Sequence, residues 1–135
     1  SYFGQIKNRY NYNQLKELAS YGVFSWESRP SIITELGKYQ KQRPGTLNFI
    51  LPFINDKDRF VRMSVIKQIG LHGSKSHFSL LDRAVESDPV LSINSRRAKE
   101  KIIGRVKRKK TDNSDKNTVE ELKKKINEIK NILNY

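Results

Sequence analysis

The sequence predicts an all-α protein, a short stack of about three helix pairs followed by a C-terminal heptad helix. Three observations lead there. Apolar residues recur three and four apart, with glycines behind them, as in short amphipathic helices. The stretch Leu51–Gly73 has an earlier counterpart at one constant offset. The last fifteen or so residues carry apolar side chains in strict three-four alternation.

In chain order, residues 1–12 mix aromatic and basic side chains. Tyr2, Phe3, Ile6, Tyr10 and Tyr12 fit the last turns of a helix better than a base-stacking platform, which normally sits on strands or in grooves. Asn13 is the expected N-cap of a helix from about Gln14 to Tyr21, with Leu15, Leu18 and Ala19 inward and Gly22 as its stop. Ser25 or Ser28 opens the next helix, with Pro30 in its first turn. Ile32, Ile33 and Leu36 line its inner face, and Gly37 lies near its end. Pro44-Gly45 marks a turn. Thr46 is expected to cap a helix over Leu47–Ile54, apolar nearly all round and so the most buried in the chain, with Pro52 kinking or tightening it.

An acidic turn, Asn55 to Arg59, follows. A helix then starts near Phe60, presents Val61, Val65, Ile66 and Ile69, and is stopped by Gly70 and Gly73. The shift that carries Arg29 onto Arg62 also places Leu18 on Leu51, Ile32 on Val65, Ile33 on Ile66, Leu36 on Ile69 and Gly37 on Gly70. Unrelated amphipathic helices would match apolar positions but rarely both an arginine and a glycine, so the correspondence reads as an internal repeat. A third, imperfect copy runs from Phe78 through the Asp88-Pro89 turn to about Ile102. Phe78, Leu81, Ala84, Val85, Ala98 and Ile102 point inward in it. A terminal repeat departs from the pattern because one of its faces meets solvent.

The pattern Leu51, Asp56, Val61-Arg62, Val65-Ile66, Ile69-Gly70 resembles a HEAT repeat. The resemblance implies a short alpha–alpha superhelix of about three HEAT-like helix pairs over residues 1–102. Its turn aspartates accept hydrogen bonds at exposed helix N-termini or meet an arginine of the adjacent repeat. Arg29, Asp56 and Arg62 are the residues expected in that ladder.

Residues 103–118 change composition. A basic run, Arg105, Lys107, Arg108, Lys109 and Lys110, precedes a stretch without any apolar side chain, and the whole reads as a flexible basic and polar linker. The run suits phosphate contact or, more plainly, a solvated helix end where cations favour the dipole. Residues 119–135 then form an amphipathic heptad helix. Thr118 and Glu121 make its capping box. Val119, Leu122, Ile126, Ile129 and Leu133 form its seam. Two heptads are marginal alone. The seam therefore needs a partner: the helical stack, a parent chain, or a second copy in a dimer.

The net charge is +13, from 27 basic and 14 acidic residues. Residues 1–102 carry +8 and residues 103–135 carry +5. Such an excess suits nucleic acid, an anionic surface or an acidic protein, or simply a lysine-rich surface. Arg96 and Arg97 join the basic run as candidate contacts to an anionic partner. No cysteine is present, which excludes disulfides and cysteine-based zinc sites and suits the cytoplasm. No run of about eighteen apolar residues occurs, so no membrane helix is expected. The start at Ser1 reads as a piece of a longer chain.

No catalytic constellation is visible. His72 and His77 are five apart across a glycine and lack the His-Glu-x-x-His pattern of zinc helices. Asp56 and Asp58 stand beside Lys57 and Arg59, a poor setting for a metal. Neither a catalytic residue nor a cofactor is assigned to this chain.

A second resemblance rests on Leu81, Asp88-Pro89, Arg97-Ala98-Lys99-Glu100 and Ile102, then Leu122 to Leu133. Over about residues 13–133 the chain looks like the extreme C-terminus of microbial aminopeptidase N-like zinc metallopeptidases. The resemblance implies a non-catalytic scaffold or capping domain that shapes access to a catalytic chamber, with zinc only in the parent catalytic domain. Its partner would be the rest of that parent chain or another protein. A basic helical-repeat module that binds nucleic acid or a partner protein is the alternative.

Overall fold

The computed structural model describes residues 10–21 and 29–133, with the backbone alone for 111–117. Six α-helices are described: α1 (Tyr12–Tyr21), α2 (Arg29–Gly37), α3 (Thr46–Ile50), α4 (Arg59–His72), α5 (Phe78–Ser87) and α6 (Ser92–Leu133). Three 3-10 segments, Leu51–Asn55, Lys75–His77 and Pro89–Leu91, prolong α3 or lead into α5 and α6. Among the described residues there is no strand, and no helix is long and apolar enough to cross a membrane. The chain divides into two compact units, Ser1–Ile102 and Ile103–Tyr135. The readings made for Tyr2, Phe3, Ile6, Gly22, Ser25 and Ser28 lie outside the described residues.

Helix α1 is capped by Asn11, not Asn13. The Asn11 side chain accepts from the Gln14 N–H at 2.9 Å, and the Gln14 side chain accepts from the Asn11 N–H at 2.9 Å. The pair is a capping box with amides in place of hydroxyl and carboxylate, so each side chain satisfies an orphan donor of the helix start. Leu15 and Ala19, four apart, are fully buried. In α2, Pro30 is the second residue, where its missing N–H costs nothing. Ile32, Ile33 and Leu36 are fully buried as their spacing requires.

The expected helix over Leu47–Ile54 is two pieces. Pro52 tightens the chain into a 3-10 segment after only a short α-helix, Thr46–Ile50. Thr46 does not cap it. Thr46 is already helical, donates to the Arg43 carbonyl at 2.6 Å and shares a 2.8 Å hydrogen bond with the Tyr12 hydroxyl. The cap comes from Gln40, whose side-chain oxygen accepts from the Leu47 N–H at 2.7 Å. Nor is this the most buried segment. Leu47, Ile50 and Ile54 are buried, but Leu51 is only half-buried, and Phe49 and Phe53 lie at the edge of the core.

That central place belongs to α4, which packs against α2, α3 and the Leu51–Asn55 segment. Asp58 caps it by accepting from the Phe60 N–H at 2.8 Å. Val61, Val65, Ile66 and Ile69 are fully buried. Gly70 does not stop the helix: α4 runs on to His72, and Gly70 is buried inside it. A Cβ there would lie 3.0 Å from the Ala98 Cα and 3.2 Å from its Cβ, so the missing side chain lets α6 approach α4 closely. The glycine is explained by packing between helices, not by termination.

Helix α5 buries Leu81 and Ala84 and half-buries Phe78 and Val85. Ala98 and Ile102 of α6 are buried as expected. Lys99 of α6 pairs with Asp82 of α5 and lies over the Phe78 ring. The largest departure follows. The secondary structure is helical without a break from Ser92 to Leu133, so residues 103–118 are not irregular and Thr118 is not a helix start. Lysine and arginine are good helix formers, and the polar stretch after them contains neither glycine nor proline to interrupt the ladder.

Two substitutions test this packing. Gly70→Leu is expected to lower stability by about 1–3 kcal/mol, because the side chain has only α6 to enter. Gly104 lies within α6 with open space about its Cα, so Gly104→Ala is expected to raise helix stability by about 1 kcal/mol. Urea titrations read by circular dichroism measure both. Opposite signs at the two glycines are the expected result.

Candidate interaction surfaces

Three groups of side chains stand out as candidates: an arginine–aspartate ladder, the basic residues of α6, and the apolar seam near its end.

The ladder begins at the first residue of α2. Arg29 grips Asp56 with two parallel hydrogen bonds, Nη1 to Oδ1 at 3.1 Å and Nη2 to Oδ2 at 2.6 Å. Its Nε donates to the Ala19 carbonyl of α1 at 3.0 Å, so one guanidinium ties α1, α2 and the turn before α4. Arg62 does the corresponding work one step on. Its Nη1 donates to the carbonyls of Asp56 and Lys57 at 2.7 and 3.0 Å, and its Nη2 donates to Asp88 Oδ2 at 2.8 Å. Arg59 adds Nε to Asp88 Oδ2 at 2.7 Å and Nη2 to Oδ1 at 3.3 Å. Asp56 and Asp88 also fold their own turns, accepting from the N–H groups of Asp58 and Val90. Each turn carboxylate therefore has two roles, as a local cap and as the acceptor for a distant arginine.

Arg29, Asp56 and Arg62 thus lie in one chain of contacts, with Arg62 reaching Asp56 through its backbone carbonyl. Asp88 and Arg59 complete it, and sequence reasoning does not single out either as a ladder residue. A signal for Asp88 is nonetheless present. It stands one position short of where the repeat shift carries Asp56, inside the Asp88-Pro89 turn.

The electrostatics follow the geometry. The Arg29 hydrogen bonds hold the Asp56 carboxyl below its ordinary 3.8, against the opposing effect of its own burial. Arg59 first and Arg62 second hold Asp88 below 3.8 in the same way.

The basic residues of α6 lie largely at its surface. Arg96 and Arg97 are exposed, and Arg96 reaches Glu100 at 4.0 Å. Lys107, Arg108, Lys109 and Lys110 are exposed and Arg105 is half-buried. Because α6 continues to Leu133, the run has no helix end beside it, and a favourable helix-dipole setting does not explain it. The seam residues Val119, Leu122, Ile126, Ile129 and Leu133 are exposed, from 51% at Val119 to 78% at Leu133.

His77 has a structural role. Its ring Nδ1 accepts from the Ser74 N–H at 3.0 Å at the start of the turn before α5. His72 is exposed at the end of α4. It lines a groove of about 400 Å³ with Lys38, Lys41, Lys67, Gln68 and Leu71 among its other walls. Glu35 of α2 is fully buried, with the Lys38 ammonium 2.9 Å away as its counter-charge. Among the described residues, no three of histidine, aspartate or glutamate gather as metal ligands.

No protein-family model, characterised protein or solved structure matches the chain.

The ladder makes two predictions. Asp56→Ala should cost about 1–3 kcal/mol, since it leaves the largely covered Arg29 guanidinium without its carboxylate; a differential scanning trace unchanged from the wild type would count against the clasp. The pH dependence has a definite sign. Both carboxyls titrate below their unfolded value, so the unfolded chain binds more protons between the two values. The ladder's contribution is complete above about pH 5 and disappears as pH falls through the native values. The Asp56→Asn, Asp88→Asn double variant should therefore show a shallower loss of Tm on acidification than the wild type.

Proposed function

We propose that the chain is a non-catalytic helical-repeat scaffold of the HEAT-like type. The observation that supports this best is a recurrence of contacts. Arg29 reaches Asp56, and Arg62, its counterpart one repeat later, reaches Asp88. Gly37 lies against Gln68, and Gly70 lies near the Lys101 side chain, at the same separation along the chain. Two comparable contacts, one electrostatic and one steric, thus recur along the chain, which supports a helical-repeat stack. In this reading residues 1–102 are the stack, and the helix beyond carries the surfaces offered to partners.

We further propose that the scaffold is the C-terminal, capping part of a larger cytoplasmic chain of the aminopeptidase N-like zinc metallopeptidase type. The support is the likeness of Leu81, Asp88-Pro89, Arg97-Ala98-Lys99-Glu100 and Ile102 to such termini. The zinc and the chemistry would belong to the parent's catalytic domain. Intact mass and zinc content of the natural protein, isolated from its source, test the parentage. A chain far heavier than 15.8 kDa with about one zinc is the expected result. A mass near 15.8 kDa without zinc overturns it.

A second reading, a nucleic-acid module, is favoured by one observation: Lys107, Arg108, Lys109 and Lys110 are all exposed on successive positions of α6. Phosphate contact releases counterions, so binding to DNA or RNA would fall steeply with salt. Salt-independent or undetectable binding to duplex and single strands removes this reading.

A further inference from the structure

We infer that the seam of α6 is the docking face for an acidic amphipathic helix of a different protein, and not for a second copy of this chain or a lipid surface. The inference rests on the scaffold reading above, but not on its metallopeptidase parentage.

The seam is unfinished. Val119, Leu122, Ile126, Ile129 and Leu133 are each more than half exposed, although they alternate by three and four as the inner positions of a coiled coil do. The seam needs no nucleation of its own. It continues a helix whose earlier residues Ala98 and Ile102 are buried, so the cost of starting a two-heptad helix is already met.

The flanks decide the occupant. With Val119, Ile126 and Leu133 at position a and Leu122 and Ile129 at d, the flanking e positions are Lys123 and Lys130. The flanking g positions are Thr118, Lys125 and Ile132. No carboxylate occupies a flanking position. The acidic residues Glu120, Glu121 and Glu128 fall at b and c, away from the seam. Flanking charges set partner choice in coiled coils. Two parallel copies would bring Lys125 against Lys130 of the other chain. Two antiparallel copies would bring Lys123 against Lys130. Either arrangement sets ammonium against ammonium beside a seam only two heptads long, and residues 103–135 carry +5 in each copy. A helix with apolar a and d positions and glutamate or aspartate at e and g meets every one of these lysines with a carboxylate.

A lipid surface fits less well. Residues 118–133 hold four lysines but also three glutamates and no phenylalanine or tryptophan. Interfacial helices depend on a strongly basic polar face and bulky aromatic anchors.

The test titrates the full chain with two synthetic three-heptad peptides that share isoleucine and leucine at a and d. One carries glutamate at every e and g position and the other lysine. The glutamate peptide is expected to bind, and the lysine peptide to bind at least about tenfold more weakly. Added salt should narrow the difference. The triple variant Lys123→Glu, Lys125→Glu, Lys130→Glu should exchange the two preferences. Ile126→Asp should abolish binding with helicity unchanged, since all four positions are exposed. Equal binding of the two peptides, or a triple variant that still prefers the glutamate peptide, overturns the inference. So does self-association in sedimentation that Ile126→Asp removes, which would make the occupant a second copy. Capture by anionic phosphatidylserine vesicles without glutamate-peptide binding overturns it in favour of lipid. Failure of any of these leaves residues 1–102 to be judged separately by the ladder variants.

Discussion

The pairing of arginine with a turn aspartate is the interaction on which the first unit depends. The helices are short, and each buries only a narrow stripe. Apolar burial holds such helices together without dictating how one helix is set against the next. Directional bonds supply that. Arg29 binds the α1 carbonyl end and the turn before α4 at once, and Arg62 binds that turn and the turn before α6. The partners are largely covered, so water competes less for the hydrogen bonds than it would for a surface ion pair.

A second constraint is steric. Helices α4 and α6 come close because position 70 has no side chain. Gly37 accepts Gln68 of α4 in the same manner. Glycine inside a helix costs about 1 kcal/mol against alanine. That cost is tolerated where it lets neighbouring helices into contact and buried residues such as Ile66 and Ile69 pack densely. Elsewhere in the chain, Gly104 has no such neighbour, and no packing reason for it is present.

The two units differ in what stabilises them. The first is built from buried side chains and the ladder. The second is helical backbone with an exposed surface of lysine, glutamate and a line of apolar residues. A helix of that composition is held by its own hydrogen bonds and gains most from a partner that covers its seam. Charge is concentrated there as well, at +5 over residues 103–135. The exposed apolar and charged surface of the second unit and the ladder and buried core of the first are therefore separated along the chain.

Much of this is legible in the sequence. The helical class, the inward residues of α2 and α4, and the inward Ala98 and Ile102 follow from spacing alone, because burial of a helix face has a fixed period. Arg29, Asp56 and Arg62 are legible as a group because an internal shift aligns the arginines. Other features depend on contacts between distant residues. Gln40 capping α3, the buried passage of Gly70 against α6, and the reach of Arg59 and Arg62 to Asp88 have no local signature. Each is decided by what another segment brings alongside. The unbroken helix through residues 103–118 is missed because Thr, Asp, Asn and Ser are weak helix formers and read as a linker, although residues 111–118 hold no glycine or proline to interrupt a helix already begun. Sequence by itself determined which faces are apolar and where charge accumulates, since both are properties of residue order. Tertiary structure decided which carboxylate meets which arginine and which glycine lies inside a helix, since those depend on positions brought together from separate helices.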